Sequence, residues 1–94
     1  MEFNEKHFKK NFPPQYKFLM ELFRNGEYFT QEEILFQAKE QGIGSPRNPF
    51  YPYNLYSILE GLEENGTIKC MQRPDGKYVW GIYNSDRSPG NEYK

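Results

Sequence analysis

The chain has 94 residues and a formal net charge of −1, and half of its apolar residues are aromatic, with 8 Phe, 8 Tyr and 1 Trp. That length supports one hydrophobic core and is too short for two. The chain contains no run of about 18 apolar residues, the length needed to span a bilayer. Residues 1–4 lack the basic and apolar pattern of a secretory signal, so we expect a cytoplasmic protein. The single cysteine excludes an intramolecular disulfide and, with only one histidine, a structural zinc site.

Charge is segregated along the chain. Residues 1–17 and residues 67–94 each carry +2, whereas residues 18–66 carry −5. A strongly basic stripe is typical of nucleic-acid binders, because much of their affinity comes from displacing counterions at phosphates. In this chain such a basic surface is confined to the two ends.

Residues 1–12 predict an N-terminal arm or a short helix. Residues 4–10 are long enough for two helical turns, and Asn4 is a residue type that caps helix N-termini. Three phenylalanines make this segment more apolar than an isolated arm needs to be. They are Phe3, Phe8 and Phe12. Their rings either dock onto this chain's own core, which we favour, or form a homodimer through the N-terminal segment.

Two helices are predicted before the middle of the chain. Pro13 and Pro14 suit a first helical turn, and residues 15–25 then carry apolar side chains three and four positions apart, up to Gly26. The spacing of Thr30 and Glu33 is that of a capping box, which predicts a second helix that starts at Thr30 and ends at a glycine. The apolar residues of this second helix that we expect to face inward are Ile34, Leu35 and Ala38, and the terminating glycine is Gly42.

Prolines and glycines interrupt residues 43–52, which predicts a loop. A third helix is predicted over residues 53–65, because four apolar residues fall at the i, i+3, i+4 and i+7 positions of one face. These residues are Leu55, Ile58, Leu59 and Leu62. We expect Tyr56 to pack in the core beside them and Tyr53 to be exposed.

Two β-rich runs, residues 67–72 and 77–83, flank an Arg-Pro-Asp-Gly turn and predict a hairpin. Alternation along the strands predicts one inward set of side chains, with Lys69, Lys77 and the turn left to solvent. The inward set is Ile68, Cys70, Tyr78, Trp80 and Ile82. Residues 84–94 are polar, contain Pro and Gly, and predict a disordered tail.

Helix, short strand, helix, loop, helix and hairpin follow one another in the order of the winged-helix plan. Residues 55–68 (LYSILEGLEENGTI) and 75–80 (DGKYVW) resemble the recognition helix and wing of small regulators of the MarR and PadR type. This resemblance implies an α+β winged-helix domain over residues 13–83, with a three-helix core and a small three-stranded antiparallel sheet. Residues 27–29 would be the short strand that joins the hairpin. A fold of this kind does not by itself imply a function.

If the resemblance extends to DNA binding, the first half of the third helix enters the major groove and the hairpin reaches the neighbouring backbone or minor groove. The residues that this places toward DNA are Tyr53, Asn54, Ser57 and Glu60. The Asn54 amide has the chemistry to bond adenine at two atoms. An equally weighted interpretation makes Asn54 the helix N-cap, unless Pro52 begins the helix and puts the cap at Tyr51.

Cations on the hairpin and in the loop are candidates for phosphate contacts. They are Arg47, Lys69, Arg73 and Lys77. Their simpler interpretation is solvation, since charged hairpin tips are common on protein surfaces. The lysines of the N-terminal segment allow the same two interpretations, an arm along the DNA backbone or a solvated face. These are Lys6, Lys9 and Lys10.

Residues 51–65 contain three glutamates and no Lys or Arg, which opposes contact with phosphates. We therefore expect weak, salt-dependent binding to double-stranded DNA unless a dimer doubles the contacts. The acidic middle and the aromatic surplus support an alternative, a protein-binding winged helix that acts as a subunit or inhibitor of a larger nucleic-acid-processing complex. No enzyme and no cofactor are expected, because no nucleophile with a base, acid–base pair or set of metal ligands is assembled in the sequence.

Overall fold

The computed structural model describes residues 3–45 and 47–82. In these ranges the chain forms four helices and a two-stranded antiparallel sheet, which confirms the α+β class. The elements are α1 (Glu5–Asn11), α2 (Pro13–Phe23), α3 (Gln31–Glu40), α4 (Leu55–Glu64), β1 (Lys69–Gln72) and β2 (Tyr78–Gly81). The predicted tail over residues 84–94 lies outside the described residues. Across the described ranges, no helix has both the length and the apolar content needed to cross a membrane.

Two helices begin at the caps that the sequence predicts. The Asn4 side chain accepts a hydrogen bond of 2.9 Å from the backbone N–H of His7 at the start of α1. At the start of α3, the Glu33 N–H donates to the Thr30 hydroxyl at 3.1 Å, and the Thr30 N–H donates to the Glu33 carboxylate at 2.9 Å. This reciprocal pair satisfies two N–H groups that the helix itself leaves without partners. Just after α3, Gly42 adopts a φ of +67°, as expected of a residue that ends a helix.

The hairpin forms with its turn at residues 73–76. Cys70 pairs with Trp80 across the strands, and Gln72 pairs with Tyr78 next to the turn. The Asp75 carboxylate accepts a hydrogen bond of 3.0 Å from the Lys77 N–H. That bond is the largest of the causes that hold the pKa of Asp75 below its ordinary value, ahead of the hydrogen bond from the Arg73 side chain.

The expected third strand is reduced to one isolated bridge. Phe29 and Trp80 exchange two backbone hydrogen bonds of 2.9 and 2.8 Å, on the edge of β2 that β1 leaves open. The pairing stops there because the next residue, Thr30, already caps α3 and turns the chain out of the sheet. The sheet therefore has two strands, and the bridge fixes the start of α3 to it.

The apolar face of α4 lies at the centre of the core, as predicted. Ile58, Leu59 and Leu62 are completely buried and Leu55 is nearly so. Side chains from α2, α3, the loop before α4 and the hairpin surround this face. They include Leu19, Phe23, Ile34, Ala38, Phe50, Ile68 and Trp80. Helix α4 therefore holds the other elements together.

The N-terminal phenylalanines dock onto this chain's own core, which confirms the favoured alternative. Phe8 is completely buried. The ring centroids of Phe3, Phe8 and Phe12 lie 5.3, 5.7 and 6.0 Å from that of Tyr53, each near edge-to-face geometry. The expected exposure of Tyr53 is wrong, since only 3 % of this residue is accessible. Tyr53 is buried because α1 supplies the rings that cover it.

A polar contact also fixes α1 in place. The Glu5 carboxylate accepts hydrogen bonds from the Thr67 hydroxyl at 2.9 Å, from the Asn65 amide at 3.0 Å and from the Tyr16 hydroxyl at 3.3 Å. These donors belong to α2 and to the segment between α4 and β1. Burial, followed by the neighbouring Glu5 charge, raises the pKa of Tyr16. The N-terminal helix is thus tied to both sides of the core.

Three residues that the patterns placed inside are exposed instead. Leu35 is 36 % accessible, because Ile34 and Ala38 alone fill the contact between α3 and the core. Tyr78 is 59 % accessible, since it lies at the turn end of the hairpin. Tyr56 is 50 % accessible and makes an edge-to-face contact with Trp80, with the ring centroids 6.1 Å apart.

Truncation of the central leucine of α4 tests this packing. We expect Leu59→Ala to lower the free energy of unfolding by about 2–5 kcal/mol, because the cavity it leaves is completely enclosed. Urea denaturation followed by circular dichroism measures the change. The exposed neighbour variant Glu60→Ala serves as the control and should stay within about 0.5 kcal/mol of the parent chain. A loss of only a few tenths for Leu59→Ala would contradict the central position of α4.

Candidate nucleic-acid interface

The first turn of α4 begins at Asn54. The side-chain oxygen of Asn54 accepts a hydrogen bond of 2.8 Å from the Ser57 N–H, so Asn54 is the N-cap and neither Pro52 nor Tyr51 starts this helix. An amide oxygen has two lone pairs, and the side chain is exposed. The cap therefore leaves one acceptor position and both N–H donors of Asn54 available to a ligand. Asn54 can therefore cap the helix and still have groups free to bond an adenine edge.

The outward surface of α4 changes character along its length. Its first turn presents the neutral side chains of Asn54, Tyr56 and Ser57. Glu60 lies about 9 Å from Asn54 along the helix axis. Glu64 follows on the same outward side. Tyr53, the remaining predicted contact residue of this region, is inside the core. The outward surface is thus neutral and polar where α4 begins and acidic where it ends.

Helix α1 borders one side of α4. The Phe3 ring lies directly over Gly61, where any Cβ would collide with it. Glu5, at the start of α1, accepts a hydrogen bond from Asn65 just after α4. At the other end of α1, the ring centroid of its C-cap residue, Phe12, lies 6.0 Å from that of Tyr53, the residue before the cap of α4. Helix α1 therefore runs antiparallel to α4, and its last turn lies beside the first turn of α4. The exposed lysines of α1 are Lys6, Lys9 and Lys10.

The hairpin borders the opposite side of α4. Trp80 meets Tyr56 there, and Cys70 lies near Glu63. Burial, and then the Glu63 carboxylate, raise the pKa of the Cys70 thiol. Its thiolate, the reactive form, is therefore disfavoured. Cys70 is a half-buried packing residue of the sheet.

The four predicted cations differ in the charges beside them. Arg73 pairs with Asp75 at 3.1 Å within the turn, and Lys77 lies 3.9 Å from Glu32 at the start of α3. Arg47 and Lys69 are exposed, and neither forms an ion pair with the residues that the structure describes. The turn cations thus lie beside carboxylates, and the other two lie on different elements.

Several exposed apolar side chains were missed by the sequence patterns. Phe36 of α3 is 61 % accessible, Tyr51 in the loop before α4 is 69 % accessible and Met71 of β1 is 51 % accessible. Phe36 could have been found, because it does not share the inward face that Ile34 and Ala38 define. Between α3 and the turn lies an open groove of about 430 Å³, lined in part by Phe29, Phe36 and Arg73.

Comparisons of the chain with protein-family models, with curated proteins and with solved structures found no match. Over residues 3–45 and 47–82, no three His, Cys, Asp or Glu side chains converge in a way that could hold a metal ion.

Two substitutions of Asn54 distinguish the capping role of its side-chain oxygen from the role of its free amide group. Asn54→Ala should lower the free energy of unfolding by about 1 kcal/mol, because the Ser57 N–H loses its acceptor. Asn54→Ser should stay within a few tenths of a kcal/mol of the parent, since serine caps as well as asparagine. Chemical denaturation of both variants checks this. Equal losses in both variants would contradict the cap.

Proposed function

We propose that this chain is a winged-helix binding module, without enzymatic activity, that recognises double-stranded DNA. In this proposal the first turn of α4 enters the major groove, and the hairpin acts as the wing. Supporting it are the resemblance to small MarR- and PadR-type regulators and the order of α2, α3, α4 and the hairpin. The bridge between Phe29 and Trp80 stands where the third strand of such a domain would pair.

The observation that carries the proposal is the neutral, exposed first turn of α4. Asn54 keeps both amide donors and one acceptor position after capping the helix, which is enough to read an adenine edge. Ser57 lies one turn further along the same helix and can position a phosphate. Like other helix N-termini, this end of α4 carries a partial positive charge.

The charges around this turn determine how strong the binding is. The exposed cations of α1, together with Arg47 and Lys69, form no ion pair with the residues that the structure describes, so they can contact phosphates without first leaving a carboxylate. The glutamates from Glu60 onward oppose a duplex that lies along the whole helix. We therefore expect DNA to approach the N-terminal end of α4. Dissociation constants should lie in the range of non-specific binding, about 10⁻⁴ to 10⁻⁶ M, and weaken steeply with salt.

Titration of a mixed-sequence duplex by fluorescence anisotropy tests the proposal. At low salt the parent chain should bind, and moderate salt should weaken binding by at least about tenfold. Asn54→Ser should reduce affinity although the fold keeps its cap. Arg47→Glu and Lys69→Glu should reduce it further.

Arg24→Glu is the matched control, because Arg24 is an exposed cation at the C-terminal end of α2 and is not among the predicted contact residues. The charge-reversal variants Arg73→Glu and Lys77→Glu, at the two cations of the hairpin turn, are titrated in the same way. No binding at low salt, or binding that none of the reversals at residues 47, 69, 73 and 77 weakens, would discard the DNA proposal.

A protein partner is the second candidate, and one observation favours it. The second half of α4 is acidic, and two tyrosines of the same domain are exposed, Tyr56 in the first turn of α4 and Tyr78 on the hairpin. Aromatic side chains are enriched at protein interfaces, and carboxylates repel phosphates. The same titration separates the two candidates, because only DNA binding requires affinity for the duplex at low salt.

A further inference from the structure

Helix α3 has a second, outward face that its own core does not use. Residues 32, 35, 36 and 39 follow the i, i+3, i+4, i+7 spacing of a single helix face. Leu35 is 36 % and Phe36 61 % accessible at the centre of this face, while Glu32 and Lys39 are exposed at its two ends. Ile34 and Ala38, on the inward face, are completely buried.

This outward face is complementary to itself. Read in one direction it presents an acid, two apolar side chains and a base, and read in the other it presents a base, two apolar side chains and an acid. An antiparallel pair of α3 helices around a two-fold axis between residues 35 and 36 would place Glu32 of each copy beside Lys39 of the other. The same axis would place Leu35 of each copy against Phe36 of the other. Isologous interfaces of this kind are the commonest basis of homodimers.

We propose that the outward face of α3 is the interface of a symmetric homodimer of this chain. The occupant is a second copy of this chain, because the same face of that copy supplies the opposite charges and the apolar centre that this face can pair with. This inference is independent of DNA binding. The proposed interface also differs from the one that the sequence suggested at the N-terminal phenylalanines, because the rings of these residues pack within one chain.

The existing contacts of α3 leave this face available. Glu33 is engaged in the capping box and does not belong to it. Glu32 lies 3.9 Å from Lys77, but the two side chains are 85 % and 59 % accessible, so Glu32 can turn to another cation. Next to Phe36, the groove of about 430 Å³ toward Arg73 offers further surface for an apolar side chain of the second copy.

A contact centred on one helix is smaller than the 1,200–2,000 Å² or so that stable interfaces bury. The dimer should therefore be weak and depend on protein concentration. Exposed charge pairs add little affinity but do fix orientation. The apolar centre then supplies most of the affinity, and the two charge pairs select the antiparallel arrangement.

Sedimentation equilibrium of the full chain over a wide concentration range tests the proposal. The mass should rise from the 11.3 kDa of one chain toward twice that value. Phe36→Ser should weaken association by at least about tenfold, because it removes the largest apolar group of the interface. Tyr78→Ser removes an equally exposed ring from the hairpin and should leave association unchanged.

Charge reversal tests the antiparallel pairing. Glu32→Lys and Lys39→Glu should each weaken the dimer, since each creates two like-charged contacts. The double variant Glu32→Lys/Lys39→Glu should restore it, and this rescue cannot come from the monomer, where the contact with Lys77 stays lost. A chain that is monomeric at every concentration, a dimer insensitive to Phe36→Ser, or a double variant that fails to recover would each overturn the proposal.

Discussion

The burial of one face of α4 is the constraint on which the rest of this structure depends. The side chains of this face, of which Ile58, Leu59 and Leu62 are completely enclosed, are those against which α2, α3 and the hairpin pack. Because a helix has only one such face here, burying it determines which α4 residues face outward. The bridge between Phe29 and Trp80 then ties the hairpin to the start of α3. Helix α1 closes the remaining side through the Phe3 contact at Gly61 and the hydrogen bonds of Glu5.

This packing divides the exposed surface into parts with different chemistry. The first turn of α4 offers neutral polar groups beside a helix that carries lysines, which suits the edge and backbone of a duplex. The second half of α4 offers carboxylates. The outward face of α3 offers an apolar centre between opposite charges. A net charge of −1 conceals these differences, so the chain is better described by its local surfaces than by its composition.

Local signals in the sequence predict the helix starts well, because a cap depends on residues only three positions apart. Asn4 and Thr30 are examples. Periodicity also predicts the buried stripe of α4. It fails for tyrosines, since a ring with a hydroxyl is compatible with either side of a surface, and only tertiary contacts decide. Tyr53 is buried because α1 happens to cover it, whereas Tyr78 is exposed because the hairpin extends past the core. Ion pairs between distant segments, such as Lys77 with Glu32, are likewise invisible to local patterns.

Amide hydrogen exchange measured by NMR on the full chain tests the central claim most directly. If α4 packs against a hairpin that is bridged to residue 29, the amides of Phe29 and Trp80 should be protected to nearly the same degree as those of Ile58 and Leu62, and all four should open together. Strong protection within α4 combined with free exchange at Phe29 and Trp80 would contradict the account. The helix would then be folded without the sheet that orients its first turn.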